Sequence, residues 1–284
     1  MQAEVTSLLL AAVVLGLIQG LTEFIPVSSS AHLLIVERLF RWSTSKPTFD
    51  IALHWGTLVA LLAFFWRDWV AILKSFVAHV ARRTPYGKPE DANADGRLFV
   101  PIVVASIPAA VVGLGFEGKI EAMRGSEWMV AAIACALVGI GIVMLLAEKL
   151  GARRRKIDSM NYVDYAVIGL AQALALFPGV SRSGITISAG LFRDLDRTAA
   201  ARFSFLLSTP AVVGAGLVAI KDMARHGLPA GDWAVMGAGF ATAAVSGFVA
   251  IGFLMRYLQH RSLTTFALYR FALAAVILLV LFRL

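Results

Sequence analysis

Two short stretches hold most of the polar side chains that this otherwise apolar chain can use for chemistry. The first, GLTEFIPVSSSAH at residues 20–32, carries Glu23, Ser29 and His32 around a proline. Because Ser29 and His32 are three residues apart, they share one face if the chain is helical there. A hydroxyl beside an imidazole is an elementary nucleophile and base. The stretch therefore predicts Ser29 as a nucleophile and His32 as its base, or as the acid for the leaving oxygen.

The second stretch, PGVSRSGIT at residues 178–186, has the composition of an anion site. Its proline and glycine end one helix, and the next helix begins at once. Free N–H groups and the positive dipole end of a helix start attract anions, and the planar fork of Arg182 fits phosphate oxygens. The alternative is an ordinary Ser/Thr N-cap with an arginine that reaches for water. The predicted phosphate-binding residues are Ser28, Gly179, Ser181, Arg182, Ser183 and Thr186.

Glu23 has a second possible use. Gln19 lies four residues earlier, on the same helix face, and the two side chains together offer oxygen ligands to a hard divalent cation. Glu23 could instead activate water. A third alternative is a purely structural ion pair between Glu23 and Arg182, because an unpaired ionisable group in a bilayer is costly.

The elements that must position these residues are membrane helices. Of the 284 residues, 59% are hydrophobic and only 15% are charged. Unbroken apolar windows, each about long enough to cross a hydrocarbon core, favour helices over barrel strands. We therefore predict an all-α polytopic membrane protein, whose net charge of +8 reflects basic cytoplasmic loops rather than nucleic-acid binding. The windows are 51–66, 98–116, 128–147, 203–220, 233–255 and 265–282.

The chain also repeats itself. GLIQGLTEFIPVSSS at residues 16–30 and GLAQALALFPGVSRS at residues 169–183 are identical at eight of fifteen positions without a gap. The repeat predicts one membrane domain over residues 1–284 with homologous halves, about 1–150 and about 158–284. Each half should contain a re-entrant helical hairpin, about 5–40 and about 161–192, followed by three transmembrane helices.

Three crossings per half make the second half inverted relative to the first. Lysine and arginine then place loops 67–97 and 149–156 in the cytoplasm, and loops 118–126 and 222–232 outside. The flanking helices of each hairpin are expected to be too short to cross alone. Each hairpin is interrupted by a polar break, the first at FIPVSSS (24–30) and the second at FPGVSRSG (177–184). The two breaks should face each other near the bilayer midplane.

The two motifs together resemble the undecaprenyl pyrophosphate phosphatase family of the bacitracin-resistance type. The similarity covers essentially the whole chain, including FWRDW after the first span and TTFALYR near the C-terminus. One motif of the family is Glu or Gln, then three residues, then Glu. Gln19 and Glu23 match the form of this motif that begins with Gln, which leaves one negative charge fewer for a metal. Ser29 and His32 match its Ser/His stretch, with Ala31 where the family often has glycine. The PGVSRSGIT stretch matches its third motif throughout.

The resemblance implies an enzyme that hydrolyses undecaprenyl pyrophosphate to undecaprenyl phosphate and inorganic phosphate. This reaction recycles the lipid carrier of cell-wall precursors, with bacitracin resistance as a consequence. It further implies a Mg²⁺ or Ca²⁺ cofactor and a bacterial plasma membrane location, with the active site open to the periplasm. The expected partners are the polyprenyl diphosphate, membrane lipids and a second copy in a homodimer. A lipid or small-molecule transporter built on the same inverted repeat is the alternative.

Overall fold

The structure, a computed structural model, describes residues 2–40, 42, 47–82, 97–124, 127–226 and 232–281. Its regular secondary structure is helical, as expected where backbone groups must be satisfied within each segment. A 3₁₀ turn, Ile157–Ser159, precedes α7. The α-helices are α1 Gln2–Phe24, α2 Ser29–Phe40, α3 Pro47–Phe64, α4 Trp66–Arg82, α5 Phe99–Arg124, α6 Glu127–Leu150, α7 Tyr162–Leu174, α8 Arg182–Phe192, α9 Arg197–His226, α10 Asp232–His260 and α11 Thr264–Leu281.

The helices have the length and composition of a multi-pass membrane protein. Three stretches in the described ranges are each long and apolar enough to cross a membrane: Thr6–Phe24, Trp128–Leu150 and Trp233–His260. A fourth candidate is the pair α3 and α4, which is bent by 73°. The predicted apolar windows fall on helices, and side chains such as Val111, Leu114 and Val245 leave these helices exposed and apolar, as a lipid-facing surface requires.

Three sequence expectations about element bounds were wrong. Residues 67–82, expected to form the first part of a cytoplasmic loop, lie in helix α4, which exposes Trp66, Val70 and Val77 along one apolar face. Such an amphipathic helix is typical of the membrane interface. The 118–126 loop is helical as far as residue 124, and most of the 82–97 loop lies outside the described residues. Finally, α1 has 23 residues and is not short, because its apolar run continues up to the break.

The hairpin of the second half has the expected short helices. With 13 residues in α7 and 11 in α8, neither reaches the about 20 residues that a crossing needs. From residue 183 to residue 191 every residue of α8 is buried, packed against α6, α7 and α9. The start of α8 is therefore held inside the protein and away from lipid.

Packing brings the two ends of the chain together. Helix α10 lies along α1 and α3, α11 lies along α6, and α7 lies along α5. Phe24, at the end of α1, makes an edge-to-face contact of 5.6 Å with Phe205 of α9, and both are buried in the main core. The first break is thus fixed against the second half of the chain.

A charged cluster ties together the opposite end of the bundle. Glu148, near the end of α6, accepts hydrogen bonds of 2.7–3.1 Å from Arg197 of α9. Asp164, in the first turn of α7, accepts from Arg155 at 2.6 Å and from Arg193 at 2.8 Å. Because these carboxylates are shielded from solvent and fully paired, the cluster fixes the ends of α6 and α8 and the starts of α7 and α9.

Candidate active site at the two helix breaks

The second break is a tight turn that leads directly into helix α8. Gly179 has a φ of +93°, a left-handed conformation that glycine adopts without strain. Ser181, with a φ of +69°, is the N-cap, and its hydroxyl accepts from the backbone N–H of Gly184 at 3.2 Å. The cap interpretation of Ser181 is therefore correct. It leaves the first N–H groups of α8 available for an anion.

The first break has the same local geometry. Helix α1 ends at Phe24, and Ser28, the residue equivalent to Ser181 in the sequence repeat, has a φ of +76°. Few residues with a Cβ atom adopt positive φ, so a shared exception at equivalent positions is informative. Helix α2 then begins at Ser29, as the predicted shared face of Ser29 and His32 requires.

The two breaks meet. A guanidinium Nη2 of Arg182 forms an ion pair with the Glu23 carboxylate, and these side chains are only 19% and 8% exposed. The backbone N–H of Gly179 donates to the Ser30 hydroxyl at 3.1 Å. Residues more than one hundred positions apart therefore build one polar site, and the predicted Glu23–Arg182 pair is present. The alternative of a purely structural ion pair between Glu23 and Arg182 predicts this same contact.

Glu23 is the centre of the site. One carboxylate oxygen, Oε2, accepts from the Ser29 hydroxyl at 2.7 Å and from the Gln19 amide at 3.1 Å. The hydrogen bond of the Ser29 hydroxyl is thus to Glu23, whereas the sequence suggested His32. A carboxylate at this distance can accept the hydroxyl proton.

Gln19 and Glu23 also bear on metal binding. Gln19 is fully buried, and its Oε1 atom has no hydrogen-bond partner among the residues that the structure describes. Because the Gln19 amide presents its nitrogen to Glu23, its oxygen would join the carboxylate as a hard-cation ligand after the amide turns over. The described part of the chain brings no three His, Cys, Asp or Glu side chains together, so the remaining ligands would come from phosphate and water.

His32 lies one helical turn beyond the break. Its Nδ1 is 2.7 Å from the carbonyl oxygen of Ser28, and its Nε2 is 2.8 Å from the Tyr269 hydroxyl. A carbonyl only accepts, so Nδ1 carries a hydrogen and neutral His32 accepts at Nε2 from Tyr269. The two rings are stacked, with centroids 5.6 Å apart. His32 is therefore held in one orientation and tautomer.

Three of the predicted phosphate ligands, Ser28, Ser183 and Thr186, are buried. Thr186 is completely buried, and its hydroxyl bonds to the Arg182 carbonyl at 2.7 Å and to the Ser204 hydroxyl at 2.6 Å. Ser183 is also buried and lies 3.4 Å from the Ser181 hydroxyl. Thr186 thus links α8 to α9 and supports the backbone that carries Arg182.

Helices α9 and α11 contribute residues that were not among the predicted site residues, although Tyr269 and Arg270 end the TTFALYR stretch. Ser204 and Ser208 of α9 line a small cavity beside Glu23, Arg182 and Ser183, with room for about one water molecule. Tyr269 and Arg270 of α11 contact the two breaks. The sequence did contain a signal for Arg270, because an ionisable residue within an apolar span indicates a functional site.

Fold and site together define a multi-pass helical membrane protein with a polar site between two helix breaks. The sequence model of the family described as bacitracin resistance protein BacA matches residues 12–276. The chain belongs to this family. It is 44% identical over 271 residues to a protein of Moorella thermoacetica named undecaprenyl-diphosphatase, covering 95% of this chain and 97% of that one. A protein of Geobacter sulfurreducens with the same name is 44% identical over 272 residues, or 95% and 97% of the two chains.

Proposed function

We propose that the protein hydrolyses undecaprenyl diphosphate to undecaprenyl phosphate and inorganic phosphate. Family membership and the names of the relatives support this activity. The observation that carries it is a set of contacts between the two breaks. The Arg182 guanidinium, at the start of α8, pairs with the Glu23 carboxylate, which accepts a hydrogen bond from the Ser29 hydroxyl. Such a reaction recycles the lipid carrier of cell-wall precursors, with bacitracin resistance as its consequence.

The diphosphate would bind at the start of α8. Nη2 of Arg182 pairs with Glu23, while its Nε and Nη1 have no hydrogen-bond partner among the described residues and can contact phosphate. The backbone at Gly179 and the hydroxyls of Ser28, Ser181 and Ser183 complete the binding site. Thr186 acts through the backbone of Arg182. The positive groups also stabilise the charge that builds up on the transferring phosphoryl group.

The chemical step breaks the bond between the terminal phosphorus and the bridging oxygen. An oxygen nucleophile attacks the phosphorus, its proton passes to Glu23 or His32, and the bridging oxygen leaves with the electron pair on undecaprenyl phosphate. If Ser29 attacks, water then hydrolyses the phosphoserine to inorganic phosphate. If water attacks directly, Ser29 orients it. The Ser29–Glu23 hydrogen bond of 2.7 Å supports Glu23 as the acceptor of the proton in either case.

We also propose a divalent cation, Mg²⁺ or Ca²⁺, as the cofactor, held by Glu23 and by the unpartnered Gln19 amide oxygen. When bound, it would neutralise charge on the diphosphate. A chelator should then lower the rate of phosphate release, and Mg²⁺ or Ca²⁺ should restore it. Gln19→Leu, which removes the amide oxygen, should need more cation for half-maximal rate. An unchanged rate after chelation would remove the cation from the proposal.

The single domain is proposed to consist of two inverted repeats. Two observations besides the sequence repeat support this arrangement. Ser28 and Ser181 share a positive φ. Gly16 and Gly169, also equivalent, each pack against a helix of the other half: an added Cβ would lie 2.5 Å from the Gly239 oxygen and 2.4 Å from the Ala105 oxygen, respectively. Equivalent close approaches are expected when both halves descend from one unit.

The site is proposed to open to the periplasm. Loop 151–156 is basic and meets the C-terminal end of α8 through Arg155 and Arg193, which favours the cytoplasm for that end. Helix α8 has 11 residues, so its start lies about 16 Å away at the usual rise per residue, near mid-depth of the bilayer. The homodimer and the lack of nucleic-acid binding stay predictions.

Purified protein in detergent tests the proposed function. It should release inorganic phosphate from undecaprenyl diphosphate, and protein in liposomes gives the comparison with the transporter alternative. No phosphate release, together with movement of the lipid across liposome membranes, would favour the transporter. Release without movement supports the hydrolase alone.

A further inference from the structure

Arg270 is a charged side chain buried in an apolar bundle without a carboxylate partner. Its side chain is 0% exposed, and no ion pair to it occurs within the described ranges. Burial of an unpaired cation is costly, and an apolar side chain would fill the same space on α11 more cheaply. The presence of arginine at this position therefore calls for an explanation beyond packing.

The hydrogen bonds of Arg270 all go to backbone carbonyls. Its Nε donates to Leu137 at 3.1 Å, and Nη2 lies 3.2 Å from the Ala136 oxygen, so α11 is joined to the middle of α6. The same Nη2 atom lies 2.8 Å from the Gly179 oxygen and 3.2 Å from the Val180 oxygen. The guanidinium thus connects a regular helix to the break that precedes α8.

These contacts fix the direction of the peptide groups at the break. In a trans peptide, the N–H points away from the C=O. With the Val180 carbonyl directed at Arg270, the N–H of Ser181 points to the opposite side. Among the residues that the structure describes, the backbone N–H groups of Ser181, Arg182 and Ser183 have no hydrogen-bond partner. They are the groups that an anion at the helix start would contact.

We propose that Arg270 is a positioning residue for phosphate binding: by holding the Gly179 and Val180 carbonyls, it aims the free N–H groups at the start of α8 at the diphosphate. This inference rests on the proposed function, in which the diphosphate binds at that helix start. Arg270 does not touch the substrate. Its remaining nitrogen, Nη1, is buried and has no partner in the described part of the chain. The hydrogen bonds of the guanidinium there are therefore all to backbone oxygens.

The test uses two variants, Arg270→Lys and Arg270→Gln, in the purified full-length protein. Lysine keeps the charge but lacks the fork that reaches α6 and the break together. We expect kcat/KM for undecaprenyl diphosphate to fall about 10²-fold, the effect of misplacing binding groups by about 1 Å. Independently of turnover, inorganic diphosphate should raise the unfolding temperature of the wild-type protein and raise it much less in both variants.

The matched control is Arg197→Lys. Arg197 is a partly buried arginine that pairs with Glu148 at the other end of the bundle. This variant should keep wild-type kcat/KM and the wild-type response to inorganic diphosphate, even if it unfolds at a lower temperature. If Arg197→Lys loses both its kcat/KM and its response to inorganic diphosphate, the two measurements report general damage to the protein, and the proposal is overturned.

Three further results would also overturn the proposal: wild-type binding of inorganic diphosphate by both Arg270 variants, wild-type KM in both, or loss of the fold in both, which would make Arg270 structural. Failure of the proposed function gives a different result. In that case the wild-type protein releases no phosphate. The rise in unfolding temperature on adding inorganic diphosphate can still be measured in the wild type and in the Arg270 variants and compared.

Discussion

The guanidinium of Arg182 joins the two breaks, since it belongs to the second and pairs with Glu23 of the first. Replacing it by lysine keeps the charge but removes the planar fork. We predict that Arg182→Lys lowers kcat/KM about 10²–10³-fold, the usual cost of losing one preorganised donor to a transition state. Phosphate release under steady-state conditions measures this.

Arg193→Lys is the control for that experiment, because Arg193 pairs with Asp164 in the charged cluster, away from the breaks. It should keep nearly normal turnover. A near-normal rate in Arg182→Lys would show that charge alone matters at residue 182 and would remove bidentate binding from the account.

The roles of Ser29 and His32 are separable. If Ser29 is the nucleophile, Ser29→Ala should lose nearly all turnover but still bind inorganic diphosphate. His32→Ala should lose about 10²–10⁴-fold, the usual value of general acid–base help, and lose less at high pH, where a hydroxyl needs less assistance. A Ser29→Ala protein that keeps about a tenth or more of the wild-type rate would refute covalent catalysis. Water activated by Glu23 would then be the better mechanism.

At the scale of the helices, glycine sets how closely α7 approaches α5. A Cβ at Gly169 would lie 2.4 Å from the Ala105 carbonyl oxygen, a backbone atom that cannot rotate away. We predict that Gly169→Ala destabilises the protein by about 1–3 kcal/mol, as overpacking does. The control is Gly139→Ala in α6, where an added Cβ meets nothing within 4 Å. Thermal unfolding in detergent compares them, and equal unfolding temperatures would contradict the close α5–α7 packing.

The sequence predicted some elements well and others poorly, for physical reasons. Pro178 and Gly179 mark the break before α8 because neither continues a helix smoothly. Helix α4 was taken for a loop because its lysine, arginine and aspartate residues hide the apolar stripe of Trp66, Val70 and Val77. The helices flanking the first break were expected to be too short to cross alone, but α1 runs for 23 residues up to Phe24, and Glu23 near its end is paired inside the protein.

At the scale of the whole molecule, sequence motifs reveal residues near the breaks but not those that packing adds. The Glu23–Arg182 pair could be anticipated, because two costly charges in one bilayer need each other. Ser204, Tyr269 and Arg270 could not be placed, since their distance from the breaks along the chain exceeds any local spacing rule. Only the packing of α9 and α11 brings them to the site.

The orientation of the chain is the prediction at this scale. The native Cys135 is first replaced by alanine, since it is the only cysteine. A cysteine introduced at Gly87 should then resist a membrane-impermeant thiol reagent in intact cells, and one at Gly125 should react, because basic loops stay in the cytoplasm. The opposite labelling pattern would contradict the proposed topology and the periplasmic opening of the site.

The central claim is that the site formed by the two breaks hydrolyses undecaprenyl diphosphate, and Glu23→Gln tests it most directly. Glutamine has nearly the same shape and can still bond to Ser29 and Arg182, but it cannot accept the proton or hold a cation as a carboxylate does. The measurement is inorganic phosphate released from undecaprenyl diphosphate by the purified wild-type and Glu23→Gln proteins. We predict steady release by the wild type and a rate lower by about 10² or more in the variant. Equal rates in the two proteins, or no release by the wild type, would contradict the account.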